Sequence, residues 1–226
     1  MSRASAAAAF SAAAAFAALA ALVAAGKLTS LDQWAIDHVM PGAAFGGKPT
    51  LADAAVPLLG EHWHGALHIL SILVTVPASF TPALLITAAA CVLLRGRAAA
   101  ALGAAFAAGN VVEVVVKGML TRPALYAGGV HLVGFDASFP SGHTIRSILV
   151  VFAVAWAWPQ FTWWVVAWAP ASIALLLVGG QHVPSDIAGG LLVTAMVVAT
   201  TWSWRFDSAS RGRRPSRAGP PSARET

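Results

Sequence analysis

His182 and Asp186 have the residue types and the spacing needed for nucleophilic chemistry. They are four residues apart in the segment 179–186, and Pro184 between them predicts a turn at the mouth of a helix. A carboxylate beside an imidazole can orient and polarise the ring, which makes the histidine a better nucleophile or base. This pair is therefore the first candidate for a catalytic group.

A second histidine, His143, belongs to the segment 136–146, in which a turn leads into an apolar helix. The small residues before it, including Ser141 and Gly142, leave backbone amides free to meet an anion at the helix N-terminus. Arg146 follows His143 by three residues, so the two side chains share one helical face. This segment therefore predicts an anion site.

A third polar stretch, residues 110–123, precedes the other two. Glu113 and Lys117 are four residues apart, so on a helix they can form an ion pair that holds Lys117 in place. Arg122 follows near the end of the stretch. A transporter could instead use Glu113 as a proton-relay carboxylate. Pairing with Lys117 is the interpretation that we favour, because the spacing alone accounts for it.

The elements that must position these residues are membrane helices. Hydrophobic residues make up 58% of the 226-residue chain and charged residues 10%, and the mean hydropathy is +0.73. A helix needs about 20 apolar residues to cross a bilayer, and we therefore predict an all-α integral membrane bundle of about six transmembrane helices, in a single domain over residues 1–204. The apolar runs are 5–25, 67–94, 98–116, 144–158, 161–179 and 187–204.

Charged residues and tryptophans give this bundle an orientation. With a cytoplasmic N-terminus, Arg3, Arg95, Arg97 and the C-terminal arginines lie inside, which obeys the positive-inside rule. Six tryptophans fall at the same cytoplasmic ends, where their rings favour the bilayer interface. The three polar stretches then all end at the outer surface, and their convergence would suit phosphoryl transfer. We expect a bacterial inner-membrane protein with its site on the extracytoplasmic face.

Two further segments have a composition of their own. Acidic residues spaced among apolar ones predict short amphipathic helices at the outer interface over residues 26–65. Residues 205–226 are rich in Arg, Ser, Pro and Gly, and we predict a disordered basic cytoplasmic tail. Since most arginines lie in this tail or beside helix ends, the net charge of +5 reflects membrane topology and not nucleic-acid binding. The alanine-rich first run is either a retained helix, which we favour, or a cleaved signal peptide.

The three polar stretches resemble the signatures of the type-2 phosphatidic acid phosphatase family, which also includes the vanadium haloperoxidases. Residues 140–143 match the Pro-Ser-Gly-His signature in full, and His182 and Asp186 match the His-x-x-x-Asp end of the third signature. The resemblance implies a membrane-embedded lipid phosphatase that needs no metal or other cofactor. Its implied substrates are polyprenyl pyrophosphate, phosphatidylglycerol phosphate and phosphatidate.

The resemblance also implies a role for each site residue. His182 would attack the phosphorus and form a phosphohistidine, while Asp186 orients its ring. His143 would protonate the departing lipid oxygen, after which water hydrolyses the intermediate. The phosphate oxygens would be held by Lys117, Arg122, Ser141 and the amide of Gly142, with Glu113 orienting the lysine.

Two arginine positions of the family signatures hold other residues. Counted from Lys117, the Arg-Pro of the first signature falls on Ala-Leu at 124–125, and an Arg-Pro begins two residues early at Arg122. Leu-Leu at 175–176 replaces the Ser-Arg of the third signature. A charge on an apolar helix is costly without a partner, so we hypothesise that Arg146 replaces a missing phosphate-binding guanidinium.

Other functions are compatible with parts of the sequence. A degenerate lipid-phosphate binding or transport component of the same fold is the main alternative, although it would have little reason to keep His143, His182 and Asp186. The histidines of segment 61–68 have a spacing found in metal sites but lack a clear fourth ligand, and we expect no metal there. The long apolar runs exclude a soluble haloperoxidase. The sequence leaves the oligomeric state open.

Overall fold

The computed structural model describes residues 3–40 and 73–211, with side chains described as far as Thr201. The described chain is almost entirely helical, which confirms the predicted all-α class. Its helices are α1 (Arg3–Ala24), α2 (Thr29–His38), α3 (Phe80–Leu94), α4 (Gly96–Met119), α5 (Gly142–Ala157), α6 (Thr162–Val178) and α7 (Pro184–Arg211). Short 3-10 turns cover Val76–Ala78, Val133–Phe135 and Pro159–Phe161, and the strands β1 (Tyr126–Ala127) and β2 (Val130–His131) form a small antiparallel pair.

Five of these helices largely coincide with predicted apolar runs, and α3 covers the C-terminal part of the run 67–94. By length and composition, four segments within the described residues can cross a membrane: Arg3–Ala24, Gly96–Met119, Pro159–Val178 and Pro184–Thr201. The apolar helices α3 and α5 have 15 and 16 residues, which gives a length of about 23 Å against a hydrocarbon core of about 30 Å. An all-α membrane bundle is therefore the observed architecture.

Two predicted boundaries differ from the structure. The second apolar run was expected to be one helix over 67–94, but in its described part residues 73–75 are helical, a 3-10 turn that contains Pro77 follows, and α3 begins at Phe80; residues 67–72 lie outside the described part. Proline cannot donate the backbone hydrogen bond that a continuous helix needs there. At the C-terminal end, α7 continues to Arg211, past residue 205 where the predicted disordered tail begins; residues 212–226 lie outside the described part. Extending an existing helix adds one hydrogen bond per residue fixed, which favours this continuation.

Helix α5 lies at the centre of the bundle and packs against α3, α4, α6 and α7. Its buried residues Ile145 and Leu149 form one apolar cluster with Val193 and Val197 of α7 and Phe106 of α4, among others. Helix α1 packs along α7, so the first and last described helices are neighbours. The apolar core therefore fixes α4, α5 and α7 relative to each other.

The N-terminal ends of α5 and α7 lie close together beside the C-terminal end of α4. The amide of Ser141, just before α5, donates to the carbonyl of Asp186 in α7 at 2.9 Å. A Cβ atom added to Gly190 would lie 2.7 Å from the carbonyl oxygen of Ser141, so only glycine permits this approach. From α4, Glu113 reaches Arg146 of α5. All three predicted polar stretches therefore meet at one end of the bundle.

Helix α2 and the connection between α4 and α5 cover this end of the bundle. An apolar cluster joins Ile36 of α2 and Met40 to Leu125 and Phe135 of the connection and to Val183 before α7. Helix α2 belongs to the segment 26–65, for which short helices were predicted. Residues 41–65 lie outside the described part, and so does the histidine-rich segment 61–68.

Candidate active site

A cavity of about 490 Å³ opens at the end of the bundle where α4 ends and α5 and α7 begin. Apolar and small residues of the connection 132–138 form one wall of it. The titratable and amide side chains that line it in the described part of the chain are Glu113, Lys117, His131, His143, Arg146, Gln181 and His182. Five of these seven were predicted from the sequence as site residues. His131 and Gln181 were not.

His143, on α5, and His182, in the turn before α7, face the same cavity. Their ring centroids are 5.8 Å apart, with an angle of 55° between the ring planes. His182 lies in the turn before α7, where its backbone amide donates to the carbonyl of Leu176 at 3.2 Å. Pro184 is favourable at the first position of α7, because an N–H at that position of a helix has no intrahelical acceptor and proline has no N–H to leave unpaired. The two imidazoles can therefore act on one bound group.

The Asp186 carboxylate lies beside the ring of His182. Its Oδ2 lies 3.4 Å from Nδ1 of His182 and also accepts from the amide of Val183 at 3.4 Å. Both contacts are long, and catalytic hydrogen bonds often shorten only when substrate binds. Because Nδ1 faces the carboxylate, Nε2 is the ring nitrogen that can attack an electrophile. The geometry therefore allows the His182–Asp186 pair to act as a nucleophile with its orienting group.

Lys117 and Arg146 share the carboxylate of Glu113. Nζ of Lys117 donates to Oε1 at 2.7 Å, and Nη1 of Arg146 donates to Oε2 at 2.6 Å. Arg146 is held further by the side chain of Asn110 and by the carbonyl of Ala78, both at 2.9 Å. The predicted ion pair between Glu113 and Lys117 is present. Two cations and one anion leave a net positive charge at the cavity wall, which attracts an anion.

Ser141 and Gly142 contribute to the start of α5. Oγ of Ser141 caps the helix by accepting from the amide of Thr144 at 3.2 Å, and Ser141 is fully buried. Neither residue is among the described residues that line the cavity. Gly142 is packed so closely that a Cβ atom there would lie 1.8 Å from Oε1 of Glu113. Their predicted phosphate contacts stay predictions, whereas their part in positioning α5 and Glu113 is observed.

Substituting Gly142 by alanine should therefore disrupt the site. The methyl group would displace the Glu113 carboxylate that holds Lys117 and Arg146, and overpacking of this kind costs about 1–3 kcal/mol in the free energy of unfolding. We expect Gly142→Ala to lose phosphate affinity as well as stability. Gly118→Ala is a matched control, because no atom lies within 4 Å of a Cβ atom there. Thermal unfolding and phosphate binding of the two variants in detergent test this, and equal behaviour would contradict it.

Arg122 points away from the cavity. Its Nη1 donates to Oδ1 of Asp186 at 3.0 Å, and its Nη2 donates to the carboxylate of Asp32 and to Oγ of Ser185. The Arg122 side chain is 3% exposed, and it is not among the described cavity-lining residues. The structure therefore does not bring Arg122 to the position of a phosphate ligand in which the sequence places it.

Asp32, on α2, is a buried carboxylate that sequence reasoning did not assign to the site. Oδ1 of Asp32 accepts from the amide of Ser185 at 3.1 Å, and its Oδ2 accepts from the Ser185 hydroxyl at 2.7 Å. Burial raises the pKa of the Asp32 carboxyl, while the hydrogen bonds from Ser185 and the charge of Arg122 oppose that rise. An acidic residue on an apolar helix face was the only sequence signal for it.

His131 is the other polar side chain at the cavity that the sequence did not single out. Its Nε2 lies 2.9 Å from Oδ1 of Asp136, and both side chains are partly exposed.

Leu176 occupies the third-signature position where the family has arginine, and it is fully buried beneath the His182 turn. Arg146 is the guanidinium that the structure brings to the cavity. Among the described residues, no three His, Cys, Asp or Glu side chains are grouped as a metal site.

Comparison with known proteins shows a match to one protein family. A family model described as the PAP2 superfamily matches residues 96–210, just over half of the chain. The matched region contains α4, α5, α6 and nearly all of α7, together with all three polar stretches. No curated protein and no solved structure matches the chain significantly.

Proposed function

Because the chain belongs to the PAP2 superfamily, which implies phosphatase-type activity on phosphoesters, we propose that it removes phosphate from a lipid. The substrate would be a phosphomonoester or a pyrophosphate of a lipid, such as polyprenyl pyrophosphate, phosphatidylglycerol phosphate or phosphatidate. The observation that carries the proposal is the cavity that places His143 and His182 beside Lys117 and Arg146. Such a cavity offers a nucleophile, a proton donor and cations for one phosphate group.

The first chemical step is attack by Nε2 of His182 on phosphorus. The bond between phosphorus and the leaving oxygen breaks, and His143, in its protonated form, gives a proton to that oxygen, which belongs to the lipid alcohol in a monoester and to the remaining lipid phosphate in a pyrophosphate. Asp186 stabilises the charge that develops on the His182 ring. The products of this step are a phosphohistidine and either the dephosphorylated lipid, from a monoester, or the lipid monophosphate, from a pyrophosphate.

The second step returns the enzyme to its starting state. His143, now neutral, takes a proton from water while the water oxygen attacks phosphorus, and the bond to His182 breaks to release inorganic phosphate. Lys117 and Arg146 stabilise the charge on the phosphoryl oxygens in both steps, which is the main task in phosphoryl transfer. This scheme uses no metal ion.

The surroundings of the cavity support an amphiphilic substrate. Leu132, Val133 and Phe135 line the cavity on the side of the connection, and the helices beside it are apolar enough to contact acyl or prenyl chains. The phosphate group of a lipid would bind the cations of the cavity, and its hydrocarbon chain would contact the apolar surface of the bundle. This arrangement supports a lipid phosphate over a small soluble phosphoester.

We also propose that the cavity faces the extracytoplasmic side of a bacterial inner membrane. The cavity lies at the Lys117 end of α4, whereas Arg95 and Arg97 lie at its other end. Trp163 and Trp164, at the start of α6, are 82% and 76% exposed, as expected for interfacial residues. Labelling a cysteine placed at exposed Val133 with an impermeant maleimide in intact cells tests this, and protection until lysis would reverse the orientation.

The test of the activity is release of inorganic phosphate from a panel of lipid phosphates by the detergent-purified protein in the presence of a chelator. We expect release from at least one of the three lipid classes and far slower release from a water-soluble phosphomonoester. Lipid binding without any release would instead support the degenerate binding or transport component.

A further inference from the structure

A buried ion network lies behind the His182–Asp186 pair, on the side away from the cavity. Arg122 bridges two carboxylates in it, with Nη1 on Asp186 and Nη2 on Asp32. The side chains of both carboxylates are fully buried. A buried charge is costly unless it is paired and hydrogen-bonded, so the three groups depend on each other for their positions.

The two oxygens of Asp186 have separate partners. Oδ1 accepts from Arg122 at 3.0 Å, and Oδ2 faces Nδ1 of His182 at 3.4 Å. Rotation of the carboxylate would change both contacts, and the contact with Arg122 opposes it. Arg122 therefore fixes which oxygen faces the imidazole and at what angle.

Asp32 in turn holds Arg122 and the start of α7. It accepts two hydrogen bonds from Ser185, one from the backbone amide and one from the hydroxyl, and the same hydroxyl accepts from Nη2 of Arg122. Ser185 immediately precedes Asp186 in α7. The apolar cluster that contains Ile36, one turn after Asp32, packs α2 against the connection between α4 and α5, so the helix face that carries Asp32 is held in place.

We infer that Arg122 and Asp32 are positioning residues, which act through Asp186 to orient the His182 nucleophile and do not bind phosphate. This inference rests on the proposed function and assigns Arg122 a task different from phosphate binding. Three donor hydrogens of Arg122 are already bonded to Asp186, Asp32 and Ser185, and its 3% exposed side chain is not among the described residues that line the cavity. Helix α2, which precedes the region that matches the PAP2 superfamily, thereby becomes part of the catalytic apparatus.

Asp32→Asn is the first test, because it keeps the side-chain shape and removes the charge that pairs with Arg122. A reactive group displaced by about 1 Å can lose about 100-fold in rate, and we expect kcat to fall by about 10-fold to 100-fold. KM and the inhibition constant of inorganic phosphate should change by less than about twofold, because the phosphate-contacting cations are untouched. Asp37→Asn, on the same helix but exposed, should leave all three constants unchanged.

Arg122→Lys separates the two roles of the arginine. Lysine keeps the positive charge but cannot bridge two carboxylates with a planar fork. A positioning role predicts the same fall in kcat with unchanged phosphate inhibition. Weaker phosphate inhibition by tenfold or more (about 1.4 kcal/mol), with kcat retained, would show a phosphate ligand and overturn the inference. Unchanged kcat in folded Asp32→Asn protein would also overturn it.

A second measurement keeps the inference independent of turnover. Imidazole 15N NMR of histidine-labelled protein reports the tautomer of His182, which Asp186 sets. We expect Asp32→Asn to change this signal and Asp37→Asn to leave it as in the wild type. If the wild type releases no phosphate, the proposed function fails. The NMR signal of His182 still tests the positioning network in that case, because an unchanged signal in Asp32→Asn would contradict it.

Should Asp32→Asn not fold, Ser185→Ala removes the bridging hydroxyl and should give the same pattern more weakly.

Discussion

His182→Ala is expected to release no measurable phosphate from any lipid phosphate that the wild type hydrolyses. Without the imidazole, no phosphohistidine can form, and loss of a covalent nucleophile costs on the order of 10⁶ in kcat. The other imidazoles among the described residues that line the cavity, His131 and His143, come from different segments, and the ring centroid of His143 is 5.8 Å from that of His182. The lipid should still bind, since Lys117 and Arg146 are unchanged.

The measurement is phosphate release by wild type and His182→Ala under the same conditions, together with a trap for the intermediate. Denaturing the wild type during turnover of a labelled lipid phosphate should leave acid-labile label on the protein, and His182→Ala should carry none. His38→Ala is the matched control, because His38 is exposed at the end of α2 and stacks on Trp34 away from the cavity. Retained release in His182→Ala would show that another group attacks the phosphorus.

Arg146→Ala is expected to lose about 10²-fold to 10³-fold in kcat/KM, the usual cost of removing one group that stabilises developing charge. Its guanidinium lines the cavity and shares Glu113 with Lys117, so it is placed to contact a phosphate oxygen. Inhibition by inorganic phosphate should weaken in parallel. Leu176 stands at the arginine position of the third family signature, which makes Arg146 the guanidinium on which the phosphate would depend.

Arg146→Lys controls for folding in this experiment. Breaking a buried ion pair costs about 3–5 kcal/mol in the free energy of unfolding, so the alanine variant can lose activity through instability alone. Lysine keeps the charge next to Glu113 and should recover stability but only part of the phosphate affinity, because it lacks a bidentate fork. Arg97→Ala, exposed at the other end of α4, should change neither quantity. Unchanged activity and phosphate inhibition in Arg146→Ala would refute the compensation hypothesis.

Local spacing accounts for the parts of the site that could be predicted. Glu113 and Lys117 form the ion pair expected of residues four apart on a helix. His143 and Arg146 line the same cavity because three residues separate them on α5. The helices follow from long apolar runs, whose backbone must satisfy its hydrogen bonds internally in lipid. Each of these features depends on residues within one turn or one helix of each other.

The sequence by itself determined the membrane class, the helices and the chemical groups, since composition and helical periodicity are local properties. Only the tertiary structure decided that Arg122 faces Asp186 and Asp32, although the same arginine stands next to a proline as in a phosphate-binding signature. Asp32 and Arg122 are separated by 90 positions in the chain. Helical spacing relates only residues a few positions apart, so it cannot predict a contact between α2 and the connection that follows α4. Their pairing follows from the way α2 packs beneath the connection and α7, where a buried charge must find its partner.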